Sequence, residues 1–320
     1  MQIYRTQAKG NPLLQVLCKE GYQAVDMHYH SRFSVDGLSK IPPIMKQCKK
    51  LTIGTSFTDH NHIGGALQAR KLSKNIFLVP GLELTCHNGV HILLHFYDWE
   101  SYISFYENDM KKRIKKNPWF LDITHDEAVD LASGYPCLIT APHPYGPGFC
   151  GIKKFPITKE TLKKIHSIET MNATLTKEMN DQGIAWTARL NKGITGGSDG
   201  HCLAELGNAL TLCKADTLEE FLDAIRKKKS IVIGKEEKLM EDAVNAVSKF
   251  IREEKRAPHK QLEKMWRDRG LLEWDHLKKS LMGKDFFHHF HAHHQEPQRQ
   301  HLSKHQHTRH LIHSSKPKHF

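Results

Sequence analysis

The stretch Asp26-Met27-His28-Tyr29-His30-Ser31-Arg32-Phe33-Ser34-Val35-Asp36-Gly37 organises the interpretation of this chain. Side chains on an extended strand alternate between its two faces, so His28 and His30 point to the same side. One strand can therefore offer two imidazoles to a metal ion. If the strand ends near Ser34, Asp36 lies in the turn beyond it and can add a hard oxygen ligand. A half-exposed strand with incidental histidines explains the stretch equally well, so the rest of the chain must decide.

Strand and helix patterns alternate from residue 24 to residue 234. This alternation predicts an α/β fold, either a parallel barrel or a doubly wound sheet. The predicted strands span residues 24–30, 52–58, 76–86, 90–97, 137–141, 167–171, 193–198, 208–213 and 230–234. The predicted helices span residues 38–51, opened by Ser39, 66–74, most of 100–133, 159–165, 172–191 and 217–229.

Polar side chains gather where these predicted strands end. In both α/β architectures the chemistry lies at the carboxyl ends of the strands, where the loops converge on one face. A random scatter of histidines would not follow that rule, so the incidental interpretation is disfavoured. The residues at strand ends are His28, His30, His60, Glu83, His143, Glu169, Asp199 and His201.

The composition is that of an ordinary soluble globular protein, with 39% hydrophobic and 26% charged residues among 320. No run of about 18 apolar residues could span a bilayer, and residues 1–10 lack the apolar core of a secretion signal. The seven cysteines form no CxxC pair, which favours free thiols in a reducing compartment, and we expect a cytoplasmic protein. The chain has no P-loop and no GxGxxG motif, which argues against energy coupling to a nucleotide through those motifs.

The strand-end motifs resemble those of the PHP (polymerase and histidinol phosphatase) domain family. The resemblance covers residues 22–235 and implies a distorted (β/α)7 barrel with metal-dependent phosphoesterase activity. Its pieces occur in family order, which makes the signal specific. They are residues 26–30 with 34–37, Thr58-Asp59-His60-Asn61, Pro80-Gly-Leu-Glu83, His91-Ile-Leu, Ala141-Pro-His143-Pro144, Ile168-Glu169-Thr-Met-Asn172 and Gly197-Ser198-Asp199-Gly-His201.

The resemblance also implies two or three divalent metal ions. Their mixed imidazole and carboxylate ligands suit manganese, zinc or iron better than magnesium. Glu83 would bridge the first two ions. The implied ligands are His28, His30, Glu83 and Asp199 for the first ion, Glu83, His91 and His143 for the second, and Asp36, His60 and His201 for the third.

The chemistry expected of such a cluster is hydrolysis of a phosphate ester by a metal-bound hydroxide. Adjacent ions neutralise the charge of the phosphate and lower the pKa of a bound water. No nucleophilic serine or cysteine motif calls for a covalent intermediate. Asp59 and Glu169 are expected to orient ligands or position substrate, with loop capping as the alternative. Arg32 is expected to donate two parallel hydrogen bonds to the phosphate, and a solvated loop charge is the alternative.

Several other histidines and lysines invite a functional interpretation. His95 is the main rival of His91, because even spacing places it on the same strand face. We expect His62 to be a loop residue, and His125 and His166 to be surface or satisfied core residues. Lys153 and Lys154 could bind a second phosphate, but charge runs usually face water.

Beyond residue 234 the alternation stops, which predicts a barrel over 1–234, a helical extension over 235–282 and a disordered, His-rich tail over 283–320. An apolar stripe in residues 239–251 favours a helix that packs on the barrel or on an unknown protein partner. Eleven of the 24 histidines follow residue 280, and residues 257–320 hold 12 basic but only 6 acidic residues. This bias is typical of disorder and of loose metal binding.

The leading functional hypothesis is therefore a metal-dependent phosphoesterase for a small phosphorylated metabolite or nucleotide. A 5′-end exonuclease or oligonucleotide phosphatase is the alternative, encouraged by the net charge of +12. A third hypothesis is a non-catalytic module that binds metal or a protein partner.

Overall fold

The computed structural model describes residues 1–73, 75–114 and 118–236; the predicted tail, and the predicted extension beyond Glu236, lie outside them. The strands are β1 Gln2–Arg5, β2 Tyr22–Tyr29, β3 Gly54–Phe57, β4 Leu78–Thr85, β5 His91–Phe96, β6 Cys137–Ala141, β7 Ser167–Asn172, β8 Gly193–Gly197, β9 Ala209–Lys214 and β10 Ile231–Gly234. The helices are α1 Pro12–Lys19, α2 Ile41–Leu51, α3 Gly64–Leu72, α4 Trp99–Phe105, α5 His125–Ala132, α6 Lys159–Lys164, α7 Lys177–Leu190 and α8 Leu218–Arg226.

The ten strands form one mixed sheet in the order β1-β10-β9-β2-β3-β4-β5-β6-β7-β8. Strands β2, β3 and β4 are parallel, as are β6, β7 and β8, whereas β5 runs antiparallel to both of its neighbours. The sheet curls so that the segment after β8 meets the end of β2. There the Asp199 amide donates to the His28 carbonyl at 2.7 Å, and the His30 amide donates to the Gly200 carbonyl at 2.9 Å.

The predicted α/β alternation is present, with differences in detail. The predicted helical region 100–133 is interrupted: α4 passes into a π-helical turn, Tyr106–Met110, and α5 begins only after a capping box between Thr124 and Glu127. Helix α2 begins after Lys40, so Ser39 does not cap it. The predicted number of seven strand–helix units stays a prediction.

Two N-terminal elements, β1 and α1, were missed by the sequence reasoning. Helix α1 did carry a signal, because Asn11 accepts a hydrogen bond from the Leu13 amide and Pro12 occupies the first helical position. Strand β1 is four residues long and half exposed, and it pairs with the distant β10. Such a contact leaves no local pattern in the sequence.

Both faces of the central strands are covered. Residues 24–29 of β2 are all buried, as expected for a parallel strand between layers. The largest fully buried side chains include Tyr29, Phe57, Phe96 and Tyr102. Among the described helices, none has the length and apolarity needed to cross a membrane.

Gly197 at the end of β8 lets the two ends of the curled sheet come together. A Cβ atom at this position would lie 2.4 Å from the Cβ of His28 and 2.6 Å from its amide nitrogen. Both atoms belong to β2, whose position is fixed by pairing with β3 and β9. Only a residue without a side chain fits between β8 and β2.

We predict that Gly197→Ala lowers the free energy of unfolding by about 1–3 kcal/mol, the usual effect of overpacking. Gly134→Ala is the matched control, since its Cβ would meet no atom closer than 3.4 Å. Urea denaturation of the two variants and the parent measures the effect. Equal midpoints for Gly197→Ala and Gly134→Ala would contradict the close approach of β8 to β2.

Candidate metal centre

The nine predicted ligands come from six strands or from the loops that follow them. Because β5 runs antiparallel to β4, its first residue lies beside the end of β4, and Thr85 pairs with His91. This explains how a residue at the start of a strand joins residues from strand ends. The structure brings together all nine: His28, His30, Asp36, His60, Glu83, His91, His143, Asp199 and His201.

The Glu83 carboxylate is fully buried and lies between two groups of imidazoles. Its Oε1 is 3.0 Å from His91 Nδ1 and 3.1 Å from His143 Nε2, and we call these two histidines the Oε1 pair. Its Oε2 is 3.2 Å from Nε2 of both His28 and His30 and 3.3 Å from His60 Nδ1. We call these three the Oε2 trio. One carboxylate thus serves two separate groups of nitrogen donors, as a bridging ligand would.

The surroundings of Glu83 Oε2 fit a bound cation. None of the described residues donates a hydrogen bond to this buried oxygen, although three ring nitrogens lie within 3.3 Å of it. Ligand bonds of about 2.0–2.2 Å to one ion leave neighbouring ligand atoms roughly 3 Å apart. A divalent ion among the three rings and the carboxylate would therefore satisfy the oxygen, and the donor set suits it.

Asp199 and Asp36 add carboxylates on the other side of the Oε2 trio. Asp199 Oδ1 is 3.3 Å from His28 Nε2 and 3.2 Å from His30 Nε2. Asp36 Oδ2 is 2.8 Å from His201 Nε2 and 3.5 Å from His60 Nε2. Within the described part of the chain, four groups can hold an ion: His28–His30–Asp199, His28–Glu83–His143, His30–His60–Glu83 and His30–Asp36–His201.

The carboxylates and imidazoles of this cluster shift each other's pKa values and so oppose the effect of burial on those values. Burial by itself raises the pKa of Glu83, but the nearby His28, His60 and His91 imidazoles outweigh it and hold that pKa well below its usual range. Burial lowers the pKa of His30, but the contacts with Asp199 and Glu83 outweigh it and raise that pKa to about 10. Each carboxylate and imidazole in these contacts thus offsets part of the other's cost of burial.

Glu169 and Asn172 contact several of the candidate ligands from behind. Glu169 Oε1 is 3.0 Å from His28 Nδ1, which turns His28 Nε2 toward Glu83. Its Oε2 accepts hydrogen bonds from the His143 amide at 2.8 Å and from Asn172 Nδ2 at 3.0 Å. Asn172 Nδ2 also donates to Asp199 Oδ2 at 3.1 Å. The sequence reasoning assigned no role to Asn172, although it lies in the same motif as Glu169.

The sequence reasoning also assigned no role to three other residues that contact the candidate ligands or their loops. Thr85 Oγ1 is 2.8 Å from His60 Nδ1, and Ser34 Oγ donates to Asp36 Oδ1 at 2.7 Å. Asp26 accepts hydrogen bonds from the amides of Ser198 and Gly207, at 2.9 and 2.8 Å, and so ties the loop that carries Asp199 to β2. Burial raises the pKa of Asp26 to about 6. These contacts depend on strand register rather than on any local pattern.

Asp59 is buried and faces the loop that follows β2. It accepts hydrogen bonds from the Ser31 amide at 2.6 Å and from Ser31 Oγ at 2.8 Å. It therefore fixes the start of residues 31–37, which we call the rim loop, and belongs to none of the four candidate groups. Arg32 on the same loop is exposed, and no described side chain pairs with its guanidinium. The catalytic roles predicted for Asp59, Glu169 and Arg32 stay predictions.

The rival histidines have other partners. His95 Nε2 donates to the Met27 carbonyl at 2.9 Å, and burial lowers the pKa of His95 to about 4, so it is a neutral core residue. His62 is exposed and its Nδ1 accepts from the Gly64 amide at 3.0 Å. His125 Nε2 donates to the Pro156 carbonyl at 3.0 Å. His166 Nδ1 accepts from the Ile139 amide at 2.9 Å.

Two ligands occupy unusual backbone conformations. His143 has φ of 26° and Asp199 has φ of 50°, in the left-handed region that residues with a Cβ seldom adopt. Such conformations persist when the surrounding contacts fix them, and they concentrate at functional sites. Here the Glu169 carboxylate fixes the His143 amide, and the His28 carbonyl fixes the Asp199 amide.

The centre is open to solvent on one side. The side chains of His201, Asp199 and His91 are 32%, 15% and 12% exposed, while Glu83, His28 and His30 are at most 1% exposed. Among the described ligand candidates, these three therefore face the solvent from which a substrate would approach. The buried ligands hold the charge, and the three exposed ones border the entrance.

Sequence comparison matches one part of the chain to a family. The family described as PHP-associated matches residues 177–230, which include α7, β8, Asp199 and His201. No curated protein matches the chain in sequence. The match thus covers part of the candidate site.

Three solved structures share the fold. Endonuclease Q in complex with a 27-mer duplex that carries an abasic lesion has a TM-score of 0.54 at 22% identity, over 64% of this chain and 57% of that chain. The lesion-specific Endonuclease Q from Pyrococcus furiosus has a TM-score of 0.53 at 21% identity, over 66% and 57%. A two-domain protein from Bacteroides vulgatus with a predicted PHP-like metal-dependent phosphoesterase has a TM-score of 0.50 at 18% identity, over 68% of this chain and 66% of that chain.

At these identities the likeness shows a shared fold, and this chain spans little more than half the length of the Endonuclease Q chains. This chain shares its fold with these three proteins. Together with the PHP-associated match, the shared fold confirms the resemblance to the PHP domain family and the predicted α/β architecture of that type.

We predict that Glu83→Gln causes a large loss of bound metal from both the Oε1 pair and the Oε2 trio, because both groups lose their shared anionic oxygens. Glu127→Gln is the matched control, since Glu127 caps α5 on the surface. Elemental analysis of the purified variants after loading with manganese or zinc measures the effect. Unchanged metal content in folded Glu83→Gln would contradict the bridging role.

A milder effect is expected at Glu169. We predict that Glu169→Gln weakens metal binding roughly 10- to 100-fold without abolishing it, the usual effect of removing the partner of a ligating histidine. Exposed Glu178→Gln on α7 is the control. Calorimetric titration with manganese gives the affinities. Equal affinities for Glu169→Gln and the parent would show that Glu169 does not orient His28.

Proposed function

We propose that this chain is a metal-dependent phosphoesterase that hydrolyses a phosphate ester at the candidate metal centre. The observation that carries the proposal is the buried Glu83 carboxylate with an imidazole group at each oxygen. Two or three ions are proposed there, with the nine residues as their ligands. Nitrogen and carboxylate donors favour manganese, zinc or iron over magnesium.

Ions bound at this centre would neutralise the charge of a phosphate and acidify water near it. The chain supplies the charge and the orientation that such chemistry requires. Glu83, Asp199 and Asp36 provide the anionic charge that holds cations. Glu169 fixes the direction of His28 and the backbone of His143. Burial of most ligands keeps bulk water away from the centre except at the entrance.

Arg32 is the proposed phosphate-binding group outside the cluster. It lies two residues after His30 on the rim loop, and no described side chain competes for its guanidinium. A guanidinium can donate two parallel hydrogen bonds to phosphate oxygens. Arg32 can therefore hold the phosphate at the entrance, while Asp59 holds the rim loop that carries Arg32 in place.

The proposed substrate is a small phosphorylated metabolite or nucleotide. The exposed sides of His201, Asp199 and His91 leave the centre within reach of a phosphate group. A nucleic acid end is the second candidate, and the fold shared with Endonuclease Q bound to a DNA duplex favours it. The proposed location is the cytoplasm, supported by the seven free cysteines.

The test is hydrolysis by the full chain with manganese, zinc or iron and with a chelator. We expect turnover of p-nitrophenyl phosphate. A comparison of a nucleoside bisphosphate with a 5′-phosphorylated oligonucleotide separates the two substrate classes. Asp199→Ala should lower turnover by at least about 100-fold, because the variant loses a carboxylate that would hold the ions that stabilise the transition-state charge. The exposed Asp216→Ala is the control.

No turnover of any substrate with any metal would contradict the enzymatic proposal if Asp199→Ala still lowers bound metal. That combination would favour the non-catalytic metal-binding module. Faster turnover of the oligonucleotide than of the bisphosphate would favour the nucleic acid candidate.

A further inference from the structure

Phe33 is an exposed aromatic side chain beside the metal centre. Five large hydrophobic side chains are exposed in the described residues, namely Met1, Tyr4, Val16, Phe33 and Leu72. Of these, Phe33 alone lies on a loop that carries a candidate ligand, the rim loop with Asp36. Its exposed fraction is 37%. A ring open to water at the edge of a site offers a face on which a planar ligand can stack.

The Phe33 ring is stacked on His62. The two ring centres are 5.5 Å apart and the planes differ by 17°. The Gly64 amide donates to His62 Nδ1 at 3.0 Å, which fixes the orientation of that ring. Gly64 also leaves room for both rings, since a Cβ there would lie 2.6 Å from His62 Cε1 and 2.7 Å from Phe33 Cδ1. We call Phe33 and His62 the ring platform.

A further aromatic ring supports the platform from behind. Tyr106 meets His62 edge-on, with ring centres 6.4 Å apart and planes at 70°. Tyr106 opens the π-helical turn after α4, the irregular turn that interrupts the predicted helix. Turns of this kind often occur at functional sites. His62 is therefore held by Gly64 and Tyr106, and Phe33 covers it on the open side.

The ring platform is a short distance from the candidate ligands. Phe33 is three residues from both His30 and Asp36, and His62 is two residues after His60. Three residues span at most about 11 Å between Cα atoms. The rim loop is held at its start by Asp59, which accepts from the Ser31 amide, and in its middle by the His60 amide, which donates to Ser34 Oγ at 3.1 Å. The platform and the metal centre thus have a fixed relation.

We propose that the ring platform binds the base of a nucleotide whose phosphate lies at the metal centre. This inference rests on the proposed function and names its substrate class. A nucleotide carries its base one sugar away from its phosphate, which matches a platform beside the centre rather than within it. Every base has a π-face, so a stacking platform accepts different bases. The exposed Arg32, next to Phe33, lies where it can hold the phosphate.

The test compares two ligands that differ only in the base. Adenosine 5′-monophosphate and ribose 5-phosphate are titrated into the manganese-loaded full chain by calorimetry. We expect the parent to bind the nucleotide more tightly. Phe33→Ala should weaken nucleotide binding roughly 5- to 100-fold, the range of one base–aromatic stack. The affinity for ribose 5-phosphate should change far less, because that ligand carries no base.

Conservative variants separate stacking from loop packing. Phe33→Tyr should retain the nucleotide affinity, and Phe33→Leu should lose most of it, although leucine keeps an apolar contact with His62. Leu72→Ala is the matched control, since Leu72 is an exposed apolar residue at the end of α3. A 5′-phosphorylated oligonucleotide in the same titration shows whether the base is supplied by a free nucleotide or by a nucleic acid end.

Equal affinity of the parent for the two ligands, or no nucleotide binding at all, would overturn the inference. Equal loss of both ligands in Phe33→Ala would also overturn it, because a purely structural role affects the phosphate site as a whole. Hydrolysis of p-nitrophenyl phosphate is measured separately. If p-nitrophenyl phosphate is not hydrolysed but nucleotide binding still depends on Phe33, the proposed function is contradicted and the base-binding role of the ring platform is supported.

Discussion

The candidate metal centre is arranged around one carboxylate that stays ionised where water cannot reach it. Glu83 is fully buried, and an isolated charge in that position would be strongly unfavourable. Five imidazoles have a ring nitrogen within 3.3 Å of its two oxygens, so a cation bound among them would offset the lost hydration. These imidazoles come from four strands or the residues that follow them: β2, β3, β5 and β6. The cluster therefore forms only where the curl of the sheet brings these strand ends together.

The sheet meets this requirement with a few specific contacts. Strand β8 reaches β2 because Gly197 has no side chain, and Asp26 ties the loop after β8 to β2. The reversed direction of β5 adds His91 beside the end of β4. The left-handed conformation of Asp199 turns its carboxylate toward the histidines of β2. Each contact fixes a ligand through the backbone rather than through packing alone.

The sequence allowed much of this to be predicted, for a physical reason. Strand periodicity places His28 and His30 on one face, and parallel strands collect their ends at one edge. The supporting residues Thr85 and Asn172 could not be predicted, because their partners are set by register and loop geometry between distant strands. The Thr124–Glu127 capping box that starts α5 is a local sequence signal, and the helix predicted over most of 100–133 passed over it. The predicted domain boundaries and the nine ligand roles stay predictions.

The central claim is that Glu83 bridges ions held by the Oε1 pair and the Oε2 trio. An anomalous difference map from crystals loaded with manganese or zinc tests it most directly. The account predicts peaks on both sides of the Glu83 carboxylate, one within bonding distance of His91 and His143 and the other within bonding distance of His28 and His30. A map with well-ordered side chains at these positions and no peak at either oxygen of Glu83 would contradict it.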